Sequence, residues 1–295
     1  MSDHPASSSA PALVILAAGQ ARRYGGCKPL APVGPTGEAI VDLIASDAIA
    51  AGFGRIVIVV NPTTGPAIRY HVARTWPTAV DVRFAVQPAP RGTVDAVLCA
   101  LDDLPSTDHG FGVANADDLY GSDAMRLLVE HLGKETTAHA LVGFRLRAST
   151  IGRKPVTRGL CVVDADGFLA RIDERRQVTP EPGGAFVAND GREPRELDAS
   201  AFVSMNLWAF APSIRPVLTS TMARPAHELP GEVLLPELVG ELVEGRDRTH
   251  RFVVLPTESR CIGVTHPDDL RLAQMEIAAQ VGRGERPARL WSHLA

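Results

Sequence analysis

The sequence has 295 residues, of which 45% are hydrophobic and 22% charged, and its formal net charge is -4. This composition is typical of a folded globular chain with room for a large core, and it excludes a mainly disordered protein. The slightly acidic balance offers no overall positive field for nucleic acid, and no apolar run approaches the roughly 20 residues of a membrane span.

The first half alternates strand-like apolar runs with helical patterns, after a tail at residues 1–12 that is rich in Ser, Ala and Pro and that we expect to be mobile. This alternation predicts βαβ units in a doubly wound, mainly parallel α/β sheet of the Rossmann-like kind. The predicted strands are 13–16, 55–60, 81–87 and 112–115, and the predicted helices are 39–51, 68–75 and 93–104.

The second half predicts a small β-hairpin inserted against that sheet. Its strands are 140–146, 159–163 and 168–173, with a turn at 164–167, and another strand follows at 201–210. Residues 180–195, dense in Gly, Pro and charge, are interpreted as a flexible loop that governs the choice of substrate. A helix at 232–244, a strand at 251–256 and a last helix at 267–281 complete the prediction.

The first strand runs into a loop suited to phosphate. The side chains become small after Leu16, at Ala17, Ala18 and Gly19, so main-chain N–H groups can approach an anion closely. Arg23 and Lys28 add positive charge, and such loops leave the strand edge where α/β sheets bind ligands. Because GxGxxG and P-loop spacings are both absent, the predicted grip on a nucleoside triphosphate is of another type. The plainer interpretation is a tight turn with solvated cations.

Two adjacent carboxylates, Asp117 and Asp118, end the predicted strand at 112–115. They lie at the same sheet edge as the Gly19 loop, and such a pair suits Mg²⁺ together with substrate phosphates. Asp117 is the stronger candidate for the metal, since Asp118 could instead serve as a helix N-cap. Asn115 is assigned to the substrate beside them.

A second polar segment follows the strand at 81–87. The amide of Gln87 offers a donor and an acceptor that match the imide edge of a pyrimidine, and Gly92 permits close main-chain approach before Thr93 opens a helix. Taken alone, the segment is more typical of a Pro-Gly turn with Gln87 on the surface.

Further polar residues follow the hairpin. Glu174, Arg175 and Asn206 could hold sugar hydroxyls and a phosphate, although a solvated charge run is the commoner meaning of such a pattern.

Taken in order, these segments resemble the sugar-phosphate nucleotidyltransferases, such as the glucose-1-phosphate thymidylyl- and uridylyltransferases, over roughly residues 13–272. The family motif LAAGxGTR with its following Lys is similar to residues 16–28, which places the catalytic cations on Arg23 and Lys28. An uncharacterised branch with YGG, NADDFYG-like and VSMN segments is closer still. Residues 231–237 resemble the family's second metal segment, with Glu237 in place of its Asp.

The resemblance implies one domain over residues 13–295, with a nucleotide half at 13–135, a substrate half at 136–265 and a C-terminal helix at 266–295. It implies Mg²⁺-dependent transfer from a nucleoside triphosphate, UTP or dTTP first, onto a sugar 1-phosphate, without nucleic acid or membrane partners. The alternatives are a cytidylyltransferase for an alcohol phosphate or phosphonate, a molybdopterin-type transferase, and a catalytically silent nucleotide-sugar sensor.

Four cysteines far apart in the sequence form no CxxC pair, which argues against a zinc site or disulfides and favours the cytoplasm. The sequence leaves the oligomeric state open, with a homo-oligomer among the options.

Overall fold

One twisted sheet organises the chain, as seen in a computed structural model. The structure describes residues 10–19, 26–105, 109–134, 136–225, 227–229, 231–245, 249–264 and 267–294. Within those residues, none of the helices combines the length and apolar character needed to cross a bilayer.

The strands, in chain order, are β1 (Ala12–Ala17), β2 (Arg55–Val60), β3 (Val82–Val86), β4 (Phe111–Asn115), β5 (Asp118–Leu119), β6 (His139–Arg145), β7 (Val156–Val163), β8 (Leu169–Pro180), β9 (Phe186–Ala188), β10 (Glu196–Leu197), β11 (Phe202–Phe210), β12 (Phe252–Thr257) and β13 (Ile262–Gly263). The helices are α1 (Ile40–Ala51), α2 (Gly65–Thr75), α3 (Thr93–Ala100), α4 (Ser122–Leu132), α5 (Ile214–Met222), α6 (Leu235–Glu244) and α7 (Pro267–Gly282).

The main sheet runs in the order β10-β9-β8-β7-β11-β4-β1-β2-β3, and β6 adds to β11 and carries β12. The strands β3, β2, β1 and β4 are parallel, whereas β7 to β10 form an antiparallel meander. The predicted α/β fold, a mainly parallel sheet with an added hairpin, is confirmed.

Both faces of the parallel strands are covered. In β1, Leu13 and Ile15 join a cluster with α1, α2, α4 and α7, while Val14 and Leu16 join a second cluster with α3, α5 and α6. Side chains of a strand alternate between faces, so a strand covered on both sides is apolar throughout. This explains why 13–16 and 55–60 were recognisable as strands from sequence.

The strand β11 connects the parallel strands to the meander. Its residues 208–210 pair with β4 and its residues 203–204 pair with β7, on the same edge. Between those stretches the register against β6 shifts, and Asn206 adopts a left-handed backbone with φ of 57°. A bulge of this kind redirects side chains and interrupts pairing, so the edge near residue 206 opens beside the end of β4.

Two segments differ from their sequence-based predictions. The stretch 180–195, interpreted as a flexible loop, contains β9, which pairs with β8 because Phe186 and Ala188 are buried in the core. The tail predicted for residues 1–12 ends earlier: β1 begins at Ala12, and the Pro11 carbonyl accepts a hydrogen bond from the Gly54 N–H. Residues 1–9 lie outside the described residues.

The segment after α7 is fixed to α1 by a buried ion pair. Both terminal nitrogens of Arg286 donate to the carboxylate of Asp47 at 2.7 Å. Burial raises the pKa of Asp47, and the guanidinium opposes that shift. Removing one partner would leave an uncompensated buried charge, so the pair holds the C-terminal segment in place.

A buried histidine lies where β6 meets β12. The His139 Nδ1 accepts the Ala211 N–H at 3.0 Å, so in the neutral ring Nε2 carries the proton and donates to His250 Nδ1 at 2.9 Å. Burial, together with the neighbouring His250 and His131, lowers the pKa of His139 to about 3.

This geometry predicts an acid-sensitive fold. The folded-state pKa lies below the unfolded value, so the unfolded chain binds the extra proton and the stabilisation is lost as pH falls from about 6.5 towards 3. Because His139 takes up a proton only in the unfolded chain over this range, the free energy of unfolding should fall by about 2 kcal/mol between pH 7 and pH 5. Urea unfolding of the wild type and of His139→Asn, whose carbonyl can still accept from Ala211, measures the difference.

The exposed His227 supplies the control. His227→Asn should retain the wild-type loss between pH 7 and pH 5, whereas His139→Asn should lose less over the same interval. Equal losses in His139→Asn and the wild type would show that His139 is not the titrating group.

Candidate active site

A cavity of about 570 Å³ opens at the carboxyl ends of the parallel strands. It is formed by the loop after β1, the turn before α3, the end of β4 and the bulge of β11. The sequence-predicted residues that line it are Leu16, Ala17, Ala18, Gly19, Lys28, Gln87, Gly92, Thr93, Asn115, Asp117 and Asn206. Residues distant in sequence are thus gathered around one space, as expected at the edge of an α/β sheet.

The loop after β1 supplies one wall of this cavity. Space is open around Gly19, where an added Cβ would meet nothing within 4 Å, and the Asn61 Nδ2 fixes the loop by donating to the Ala18 carbonyl at 2.9 Å. Arg23, the second predicted cation, lies outside the described residues.

Lys28 and Asp117 form an ion pair across the cavity. The Lys28 Nζ lies 2.5 Å from Asp117 Oδ2, with the lysine side chain 12% exposed and the aspartate 40% exposed. Lys28 begins a short 3₁₀ helix, Lys28–Leu30, and Asp117 follows β4. The pair therefore places a fixed positive charge and a carboxylate side by side in the cavity.

The amide of Gln87 has fewer hydrogen-bonding groups available to a ligand than the sequence predicted. Its Nε2 donates to the Gly92 carbonyl at 3.0 Å and to Asp95 Oδ2 at 2.9 Å. Both partners are acceptors, which fixes the amide orientation and uses both of its hydrogens. Gln87 therefore presents Oε1 as an acceptor to a ligand, and its predicted donor role is corrected.

The turn at Gly92 is held by the segment before α6. The Val94 N–H donates to the Val233 carbonyl at 3.1 Å, and the Leu235 N–H donates to Thr93 Oγ1 at 2.7 Å. This docking brings Glu232 into the cavity wall, a lining residue that the sequence analysis did not single out.

A second cavity of about 260 Å³ adjoins the first. Asn115, Asp117 and Asn206 line both cavities, and Glu174 from β8 lines the second. The Trp208 Nε1 donates to Asn206 Oδ1 at 3.1 Å, which orients this amide at the bulge. The two cavities are therefore adjacent and share the side chains of Asn115, Asp117 and Asn206.

Two predicted site residues lie elsewhere. Arg175, predicted to hold a phosphate, is buried on the opposite face of β8 from Glu174, because consecutive residues of a strand point to opposite faces. Its guanidinium binds Asp190 in a bidentate pair at 2.7 and 3.0 Å. Glu237, predicted as a metal ligand, is exposed in the first turn of α6 and lines neither cavity.

The cation of the second cavity is Arg158 on β7, which the sequence analysis missed. The sequence did contain a signal for it. Arg158 lies two residues from both Val156 and Leu160, so it shares a strand face with these apolar residues, where a charged residue is unexpected. The segment 180–195, expected to govern substrate choice, contributes no described residue to either cavity lining.

The carboxylates of Asp117 and Asp118, which follow β4, repel each other electrostatically. Burial, together with the charge of Asp117, raises the pKa of Asp118 to about 7, while a hydrogen bond from Asn115 and the positive charges of Arg158 and Lys28 oppose the rise. A hard divalent cation prefers oxygen ligands, and its charge would relieve the repulsion between the two carboxylates. The pair therefore fits Mg²⁺, with substrate phosphates as further ligands. Among the residues described, no group of three or more His, Cys, Asp or Glu side chains could hold a metal.

The chain is similar to known NTP transferases in sequence and in fold. Residues 13–160 match the family of MobA-like NTP transferase domains. The chain is 31% identical over 183 residues to the bifunctional protein GlmU of Geobacter sulfurreducens, and 29% identical over 190 residues to that of Hyphomonas neptunium. Each alignment covers 61% of this chain, and 36% and 37% of the respective relatives.

Among solved structures, the fold is similar to the inositol-1-phosphate CTP transferase from T. maritima, with a TM-score of 0.66 at 12% identity. That similarity covers 94% of this chain and 98% of the other. The chain spans little more than a third of the GlmU relatives.

The chain belongs to the MobA-like NTP transferase family, since the match covers half of it. The predicted resemblance to sugar-phosphate nucleotidyltransferases is confirmed.

The turn before α3 yields a prediction about Gly92. Its φ is 94°, and an added Cβ would lie 2.3 Å from the Val233 carbonyl oxygen. The free energy of unfolding of Gly92→Ala should therefore be lower than that of the wild type by about 1–3 kcal/mol. The substitution should also displace residues 231–235 from the cavity. Chemical denaturation measures the first effect, and nucleotide binding measures the second.

Gly231→Ala is the matched control, because an added Cβ there meets nothing within 4 Å. It should unfold like the wild type. Wild-type stability in Gly92→Ala would contradict the close approach of Val233.

Proposed function

We propose that this protein is an Mg²⁺-dependent nucleotidyltransferase that joins a nucleoside triphosphate to a sugar 1-phosphate or a similar phosphate monoester. The observation that carries the proposal is the Lys28–Asp117 pair at 2.5 Å, placed where the larger cavity meets the smaller one. The family match and the GlmU and CTP transferase similarities support the same class of reaction.

The larger cavity takes the triphosphate. Main-chain N–H groups around Gly19 approach the phosphates, and Lys28 offsets their negative charge as it shifts in the transition state. A hydrogen bond to a charged group contributes about 1.5–3 kcal/mol, more than the roughly 0.3–1 kcal/mol of a helix terminus. Lys28 is therefore the principal phosphate contact among the described residues.

The smaller cavity takes the acceptor. An oxygen of the acceptor phosphate attacks the α-phosphorus, a new P–O bond forms, and the bond to the bridging oxygen breaks. Pyrophosphate leaves with that electron pair. Holding the two phosphates in line accounts for most of the acceleration in such a reaction, and the adjacency of the two cavities at Asp117 supports such an alignment.

Asp117, with Asp118 beside it, would hold the Mg²⁺. When bound, the cation supplies charge neutralisation on the phosphate oxygens. Asp117 also orients the Lys28 ammonium through their ion pair, so the residue contributes to both charges of the site.

The base is recognised in part by Gln87. With both amide hydrogens engaged, its Oε1 can accept from an N–H of the base. The imide N–H of uracil or thymine fits, in line with UTP or dTTP, and the amino group of cytosine fits as well. A CTP requirement would favour the cytidylyltransferase alternative.

Turnover tests the proposal directly. Five nucleoside triphosphates are combined with a set of phosphate monoesters, and pyrophosphate release is measured. Lys28→Ala should lower kcat/KM at least about tenfold, equivalent to about 1.4 kcal/mol, and Asp117→Ala should lower it more. These effects follow because each variant removes a charge from the region where the phosphates meet.

Lys154→Ala is the control, since Lys154 forms an exposed ion pair with Asp268 away from the cleft. It should retain wild-type kinetics, and circular dichroism should show folded protein for all variants. Wild-type turnover in Lys28→Ala would refute the assignment. Nucleotide binding without pyrophosphate release across the whole panel would favour a silent sensor instead.

A further inference from the structure

The smaller cavity contains a positive charge whose function is unexplained. Arg158 lines it from β7, between the strand that carries Glu174 and the carboxylates after β4. Several arginines around it in the meander form ion pairs: Arg171 with Asp173, Arg175 with Asp190, and Arg176 with Glu174. Among the described residues, no carboxylate forms an ion pair with Arg158.

Neutral oxygens hold the Arg158 side chain in place. Its Nε donates to Ser149 Oγ at 3.1 Å, one terminal nitrogen donates to the Thr157 carbonyl at 2.8 Å, and the other donates to the Ser149 carbonyl. Ser149 is itself buried and donates to the Leu146 carbonyl at 2.9 Å. The guanidinium is therefore positioned by main chain and a buried hydroxyl rather than by a counter-charge.

A guanidinium has five N–H donors, and these contacts use three. One N–H remains on each terminal nitrogen. Two such donors match two oxygens of a tetrahedral anion, the bidentate geometry in which arginine binds phosphate or carboxylate.

Among the described residues, the atoms that contact the Arg158 guanidinium are neutral oxygens of Ser149 and Thr157. The anion is therefore expected from a ligand. An uncompensated charge in a partly desolvated site is costly, so a bound anion would stabilise it. The other polar groups of this cavity, including Glu174, Ser204 and Asn206, are suited to hydroxyl groups.

We propose that Arg158 is the anion anchor of the acceptor subsite and binds the phosphate of a polyol phosphate monoester in the cavity that Glu174 and Ser204 also line. The inference rests on the proposed function for the identity of the acceptor. The anion site itself follows from the contacts of Arg158.

Binding of inorganic phosphate tests the site without turnover. In isothermal titration, Arg158→Gln should bind phosphate at least about tenfold more weakly than the wild type, because a charge and two charge-assisted donors are lost. Arg171→Gln, an exposed arginine of the same meander, should bind within twofold of the wild type. Equal phosphate binding by Arg158→Gln and the wild type overturns the proposal.

Kinetics then separates the acceptor from the nucleotide. With an active pair of substrates, Arg158→Gln should raise the acceptor KM at least about tenfold and leave the triphosphate KM unchanged. An unchanged acceptor KM contradicts the inference and leaves nucleotidyl transfer intact. No turnover by the wild type refutes the proposed function, while the phosphate titration still decides on Arg158.

Arg158→Lys guards against loss of folding in the glutamine variant. Lysine retains the charge but not the planar fork, so phosphate binding should weaken by a smaller factor than in Arg158→Gln. Wild-type affinity in a folded Arg158→Lys would show that the fork is not used.

Discussion

The cleft depends on the interrupted edge of β11. This strand pairs with β4 over its last residues and with β7 near its start, and the bulge at Asn206 leaves the edge between them open. The Tyr120 hydroxyl donates to the Met205 carbonyl at 3.0 Å and accepts the Asn115 N–H at 2.9 Å, so the opening is fixed on both sides.

This geometry explains how one sheet can present two substrates to each other. The parallel strands end in the larger cavity, where loops with small residues and Lys28 surround the space. The antiparallel meander supplies the polar wall of the smaller cavity. Because Asn115, Asp117 and Asn206 line both cavities, the proposed substrates would lie on either side of the same carboxylate.

The sequence predicted the parts of the site that follow directly from strand ends. The loop at residues 16–19, Gln87 and Asp117 each come after an apolar run, and carboxyl ends of parallel strands share an edge. Arg175 was misassigned because its partner Asp190 lies 15 residues away, in a stretch interpreted as a flexible loop. Glu174 and Arg175 are adjacent in sequence, yet strand alternation separates them onto opposite faces.

Other features depend on long-range packing, which local patterns do not reveal. Glu232 reaches the cavity only because Val233 docks on the turn at Gly92. Arg158 depends on a buried serine that precedes β7 and on pairing with β8. The bulge at Asn206 lies where β4 and β7 share one edge of β11 while β6 pairs with the other edge.

The central claim is that the triphosphate and its metal meet at Asp117, in the cavity that Lys28 lines. A crystal structure with Mn²⁺ and an α,β-methylene analogue of UTP, with the metal located by its anomalous signal, tests this most directly. The account predicts Mn²⁺ coordinated by the Asp117 carboxylate, with the phosphates beside Lys28 and the Gly19 loop. Nucleotide and metal bound away from Asp117, with the larger cavity empty, would contradict it.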